Sequence, residues 1–466
     1  MKFDFDKIID RRGKDAVAVE GFGLRPGFSP GLPKEGFDLI PMWVADMNFE
    51  TAPSIPEAII ARAKHPLYGY FLPREEYYDA IIRWHRNRKG VTDLTREMIG
   101  YENGVLGGAM SALAVLCSKG DKVLLHSPTY TGFTASIENN GYHIVHSPLY
   151  QDDEGVYRID YDDMEKKIAD NAIHAAIFCS PHNPTGRVWE REEIERAMEI
   201  YRKYDVTVIS DEIWSDILRE GITHIPTQSV SEDAKNRTIA LYAPSKTFNL
   251  AGLVGSYHII YNKRLRDRVM KESSLGHYNA MNLFSMYALI GAYSETGNAW
   301  ANEMLATIDR NMRFAMQFID ERLDGVTYSA PQGTYMLLID CSGYMKKYGV
   351  TLEEIEKAGW DVGVAWQDGK IFHAPTHIRI NLALPLSRVH EAFRPWNNMC
   401  SSGKRIDKKK KVKILRDLLF LCATRHRKTP YGSLQLLDTI RENPYTYEVP
   451  FWRAGRVVEG ARLEIV

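Results

Sequence analysis

Cysteine is scarce in this chain of 466 residues, which has only Cys117, Cys179, Cys341, Cys400 and Cys422. Their scattered positions exclude a disulfide framework and a thiolate metal cluster, so no metal site is expected. Charge of one sign is lacking too, since 59 Lys and Arg stand against 60 Asp and Glu, a net charge of −1. No global field favours nucleic acid or an anionic membrane, and a small anionic ligand needs a local site. No apolar run approaches the roughly 20 residues of a membrane span. The amino terminus, MKFDFDKIIDRRGKD, is too charged for a signal peptide. These absences lead to the expectation of a cytoplasmic protein that binds neither nucleic acid nor membrane.

What is present is a core-forming chain with 44% hydrophobic residues. From about residue 100 to 262, short apolar runs alternate with longer segments of helical spacing. The runs are KVLLHSP from Lys122, HAAIFCSP from His174, VTVISDE from Val206, TIALYAPS from Thr238 and SYHIIYN from Ser256. Runs of this length and composition read as buried strands, and EREEIERAMEIYRKYD after Trp189 reads as a helix. The alternation predicts an α/β fold, a mostly parallel sheet sandwiched by helices. Beyond about Leu265 the texture is helical, with a long polar–apolar stretch over residues 299–323. GTYMLLID and HIRINLAL then predict a second, smaller α/β domain. The expected organisation is an N-terminal segment, 1–45, joining the small domain; a large domain, 46–290; a small domain, 291–395; and a basic tail, 396–466.

Ligands of open α/β sheets collect beyond the carboxyl ends of the strands. The first four runs end at Ser127-Pro-Thr-Tyr130, at Ser180-Pro-His-Asn183-Pro-Thr-Gly186, at Asp211-Glu212 and at Ser245-Lys246. An aromatic, an amide, a carboxylate and an amine therefore share one rim. Singly, each has an ordinary explanation: Asn183 in a turn, Asp211 as a helix cap, Tyr130 in the core, Lys246 in solvent. Upstream, Asn103-Gly104-Val105 opens a helix-like run whose small residues let backbone N–H groups approach an anion.

Pyridoxal 5′-phosphate, an aromatic aldehyde carrying a phosphate, needs this whole set. The amine bonds the aldehyde, the carboxylate keeps the ring nitrogen protonated, the aromatic side chain stacks, the amide bonds the ring oxygen and the helix start holds the phosphate.

The same residues lie in motifs that resemble the fold-type I pyridoxal-phosphate enzymes, and most narrowly the MalY/PatB family of cystathionine β-lyase-like C–S lyases. The resemblance covers nearly all of residues 1–393 through IPMWVADMNFETAPSIPEAI, YGYF, SPTYTGF, SPHNPTGRVW, SDEIWSDI, SKTFNLAGL, VAWQDGKIF and HIRINLALPLSRV. It implies that Lys246 is the Schiff-base lysine and acid/base, that Asp211 partners the ring nitrogen, that Asn183 bonds the ring hydroxyl and that Tyr130 stacks on the ring. It implies phosphate contacts from the Gly104 and Val105 backbone and from Ser245, and a substrate-carboxylate clamp at Arg379. It further implies a homodimer with a shared active site, in which Tyr70 reaches the phosphate across the subunit boundary. The expected activity is α,β-elimination from cystathionine or another cysteine S-conjugate, giving thiol, pyruvate and ammonia.

Two departures from that pattern stand out: Ala243 replaces a hydroxyl residue three positions before the lysine, and Trp214 stands where some relatives have His. An aminotransferase is the alternative activity, although Val254 occupies the place, eight residues after the lysine, where its best-known branch has Arg. A regulatory binding protein on the same fold is a minor alternative. The tail contains CSSGKRIDKKKKVKILRD, which reads as a solvated charge run. Back-translated and read two bases later, residues 395–401 can encode Leu-Glu-Gln-Tyr-Val-Phe, which resembles the family's closing helix. A frameshift near Arg394 is the hypothesis that follows.

Overall fold

The computed structural model describes residues 3–25, 27–275 and 279–400, the last six of these by backbone alone. Of the tail expected over 396–466, for which a frameshift near Arg394 is the hypothesis, residues 401–466 lie outside them. In chain order the strands are β1 (Ile40–Pro41), β2 (Ile99–Asn103), β3 (Lys122–Ser127), β4 (His143–Gln151), β5 (Tyr157–Ile159), β6 (Ala175–Cys179) and β7 (Thr207–Asp211). They continue as β8 (Thr238–Tyr242), β9 (Gly255–Ile259), β10 (Thr327–Tyr328), β11 (Met336–Asp340), β12 (Val364–Ala365), β13 (Gln367–Asp368) and β14 (His377–Asn381). Eight of them form the large sheet, in the order β2-β9-β8-β7-β6-β3-β4-β5. The five strands β8-β7-β6-β3-β4 run parallel. Strands β9 and β5 are antiparallel to their neighbours.

The apolar runs are continuous because both faces of this sheet are covered. Successive side chains on a strand point to opposite faces. Leu125, Ile177 and Ile209 accordingly join one core with Ala109, Ala112 and Leu113 of the helix Val105–Leu116. Leu124, Ala176 and Val208 join another with Ile194, Ala197 and Met198 of the helix Arg191–Lys203. Burying each such Leu, Ile or Val side chain contributes about 1.5–3 kcal/mol.

The small four-stranded sheet runs β10-β11-β14-β13, all antiparallel. The 28-residue helix Glu295–Arg322 spans about 42 Å at 1.5 Å per residue. Its first half sends Trp300, Met304 and Ile308 into the large-sheet core, and its second half sends Met312, Ala315 and Ile319 into the small-sheet core. This one element fixes the two sheets relative to each other. β1 pairs with β12, which ties the N-terminal segment to the small sheet. The closing helix runs Leu386–Cys400.

Candidate active site

Lys246 lies in the loop after β8, and its Nζ donates to Ala45 O at 2.9 Å. Burial pushes this amine down to about 8; Arg379 adds to the shift, while Asp46 and Asp211 oppose it. Asp211 ends β7, 5% exposed, and its Oδ1 accepts from Ile213 N at 3.0 Å. Burial lifts its carboxyl to about 7, against the pull of the Ile213 amide and Lys246.

Arg379 projects from β14 of the small sheet and is 3% exposed. One Nη donates to Asn183 Oδ1 at 3.0 Å; the other donates to Gln367 Oε1 at 2.6 Å and Trp43 O at 3.3 Å. Its Nε has no partner among the described residues, and the guanidinium lies 4.1 Å from the centre of the Phe372 ring. Burial brings it down to about 10. The structure thus brings Arg379 and Asn183 together from the two sheets.

Tyr130 caps the helix Thr131–Asn139 and packs edge-on against Phe133, with ring centres 5.5 Å apart. Gly132 is what lets this ring fold back, because a Cβ there would sit 2.3 Å from Tyr130 Cε1. Burial raises the phenol, which also feels Arg379 and Asp211. Gly104 is the N-cap of the helix Val105–Leu116 at φ 79°, a conformation only glycine adopts freely. The N-terminus of that helix, with Gly104 and Val105 at its start, is a position where backbone N–H groups and the helix dipole favour an anion. Val254 borders it at φ 64°, a strained conformation for a β-branched side chain. Ser245 is partly buried beside Lys246, and Tyr70 lies fully exposed on the loop before the helix Glu75–Lys89.

The residues that hold this arrangement do not stand out as candidates in the sequence. The chain from Trp43 to Asn48 contributes carbonyls rather than side chains: Trp43 O to Arg379 and Ala45 O to Lys246. Asn381, two residues beyond Arg379, donates to Val44 O at 2.8 Å and to Asp46 O. Asn249, three beyond Lys246, accepts from Met47 N at 2.9 Å and donates to Met47 O at 3.0 Å. The only signal is the narrow motif PMWVADMNF itself.

Among the described residues, neither Lys246, Asp211 nor Arg379 forms an ion pair. Two buried ionisable groups, Asp211 and Arg379, and the partly buried Lys246 amine are costly to hold without counter-charges, so the site is built for a ligand that carries complementary charge. The Lys246 amine, the Asp211 carboxyl, the helix N-terminus at Gly104 and the unpartnered Arg379 Nε are groups of the kinds that pyridoxal 5′-phosphate and a carboxylate-bearing substrate require.

Residues 38–394 match the family model for aminotransferase class I and II. The cystathionine β-lyase PatB of Bacillus subtilis is 36% identical over 341 residues, covering 73% of this chain and 85% of its own. The protein MalY of Escherichia coli is 29% identical over 84% of this chain and 96% of its own. The solved structure of a pyridoxal-phosphate-bound C–S lyase from Staphylococcus hominis superposes with a TM-score of 0.76 at 33% identity, covering 89% of this chain and 98% of that one. The chain belongs to the aminotransferase class I and II family, and within it to the branch of cystathionine β-lyases and C–S lyases. Its fold is that of the fold-type I pyridoxal-phosphate enzymes.

Proposed function

We propose that this protein is a pyridoxal-phosphate-dependent carbon–sulfur β-lyase, acting on cystathionine or another cysteine S-conjugate. The observation that carries the reading is the set of three groups, the buried Asp211 and Arg379 and the partly buried Lys246, left without ion-pair partners around one rim. Lys246 would hold the cofactor aldehyde, Asp211 its ring nitrogen, Asn183 its ring oxygen and Tyr130 its face. Gly104, Val105 and Ser245 would hold its phosphate. Bound there, the cofactor supplies an electron-withdrawing ring conjugated to the substrate's amino nitrogen.

Arg379 then clamps the substrate carboxylate, a planar fork whose free Nε adds a donor. With its basicity lowered to near neutrality, Lys246 Nζ takes the proton from the substrate α-carbon. Asp211, as a carboxylate, would pair with the cofactor's ring nitrogen and so favour its protonated form. The bond from Cβ to sulfur breaks with its electron pair going to sulfur, and water completes the conversion to thiol, pyruvate and ammonia. Incubation with cystathionine, with thiol and pyruvate measured together, tests the assignment; equal release of both is expected, and release of neither defeats it.

The family name keeps aminotransfer in view, because both reactions share the first proton transfer. Keto-acid formation from a plain amino acid, without thiol release, would favour it.

A homodimer completes the proposal, with Tyr70 of the partner subunit at the phosphate. Its support is the loop carrying Leu67, Tyr68, Tyr70 and Leu72, which exposes four large apolar or aromatic side chains in a row. A cytoplasmic location agrees with the free state of Cys117, Cys179 and Cys341.

A further inference from the structure

Lys246 sits in a slot that the roles assigned above do not require. Its Nζ donates to Ala45 O and lies 5.5 Å from the centre of the Trp214 ring. Trp214, 2% exposed, is held edge-on by Tyr335, with ring centres 4.7 Å apart and planes at 74°. The Tyr335 hydroxyl donates to the same Ala45 O at 2.8 Å. Ala45 is itself held in place, since Asn381 and Asn249 fasten the carbonyls on either side of it.

A carbonyl oxygen and an indole face both attract a cation, and neither can take its proton. Of the charged groups facing the amine, Arg379 favours its neutral form, while Asp46 and Asp211 favour the ammonium. The Trp214 ring sides with the carboxylates. It also occupies the position where this chain departs from relatives that carry His.

We propose that Trp214 is a positioning residue: with the Ala45 carbonyl it parks the Lys246 ammonium after the substrate proton has been taken, withholding that proton from return. This rests on the lyase reading, in which the proton passes to the departing sulfur, giving the thiol and restoring the neutral amine, and is not returned to carbon. An aminotransferase must return it. The slot thus favours elimination over transfer through the location of one proton.

The test begins with the cofactor-free protein and does not depend on turnover. Trace acetylation with acetic anhydride across pH, with the Lys246 peptide quantified by mass spectrometry, reads the amine's titration midpoint. Removing a desolvated cation–π contact in Trp214→Leu should lower that midpoint by about 0.5 to 1 on the pH scale. Trp214→Phe, which keeps a weaker ring, should fall between. If the Leu variant does not fold, the comparison of wild type with Trp214→Phe decides.

In the reconstituted enzyme given cystathionine and an added keto acid as amino acceptor, the ratio of sulfur-retaining keto acid to thiol should rise several-fold in Trp214→Leu and less in Trp214→Phe. An unchanged midpoint in folded variants overturns the slot, and a shifted midpoint with an unchanged product ratio overturns its role in holding the proton. Absence of lyase activity in the wild type defeats the functional reading instead, while the midpoint still reports on the slot.

Discussion

Asp211 and Glu212 are adjacent carboxylates, both buried, that leave β7 toward opposite surroundings. Glu212 accepts from Tyr242 OH at 2.7 Å, from Ser210 Oγ at 3.0 Å and from Thr227 N at 3.0 Å, and lies 2.7 Å from His224 Nε2. Burial alone would push its carboxyl up, yet these partners hold it below the usual range. Asp211 has one backbone amide and rises instead. The same contrast separates two buried arginines. Arg187 pairs with Glu190 and Glu193, whereas Arg379 bonds only neutral oxygens. A buried charge that the chain satisfies by itself serves the fold, while one left open serves a ligand.

Substitutions on the two sides should therefore fail in different ways. Lys246→Ala, on the open side, should cut thiol release at least ~10³-fold, the scale of a lost acid/base, with little change in thermal unfolding of the cofactor-free protein. Equal residual activity and a lowered Tm would erase the distinction. Glu212→Ala, on the satisfied side, should cost roughly 3–5 kcal/mol in denaturant unfolding, because the bonds that His224, Tyr242 and Thr227 make to its carboxylate are broken. Asp211→Asn should do the reverse. It removes a carboxylate that is costly to keep ionised, at about 1.4 kcal/mol for each tenfold loss of acidity, so the cofactor-free protein should gain a few kcal/mol at pH 8. It should abolish lyase turnover all the same. Arg379→Lys should lower kcat/KM about 10²-fold through loss of one or two charge-assisted hydrogen bonds to the substrate carboxylate.

The smallest effect is one of pH. Between the ordinary Asp value near 3.8 and about 7, the native Asp211 carboxyl binds more protons than the unfolded one. Its contribution to stability therefore falls as pH rises through that window. Lys246, lowered from 10.5 to about 8, has the opposite sign: the unfolded chain binds more protons, so stability falls as pH drops from 10.5 toward 8. The Tm advantage of cofactor-free Asp211→Asn over wild type should thus widen from pH 5 to pH 8. A constant difference would show that Asp211 is charged throughout.

The side-chain chemistry of the open side is legible in the sequence. Tyr130, Asn183, Asp211 and Lys246 each follow an apolar run, and doubly covered strands expose their chemistry only at the rim. The strands at the sheet's two edges, β2 and β5, give no such signal, because the buried positions of β2 include Gly100 and Glu102 and β5 is only three residues long. The run SYHIIYN reads as a strand, but its antiparallel direction depends on connection geometry that residue types do not encode. The supporting shell stays hidden for another reason. Ala45 and Trp43 act through carbonyls, which every residue possesses. Gln367 reaches Arg379 only because β13 pairs with β14 at that register. Tyr335, equally, reads as a core aromatic until its hydroxyl is seen on Ala45.

Borohydride treatment of the protein reconstituted with pyridoxal 5′-phosphate, followed by peptide mapping, tests most directly whether Lys246 is the open group around which this site is built. A phosphopyridoxyl group on the peptide containing Lys246, and its loss in Lys246→Ala, is the predicted result. A stable label on a different lysine, or protein that binds no cofactor, would contradict it.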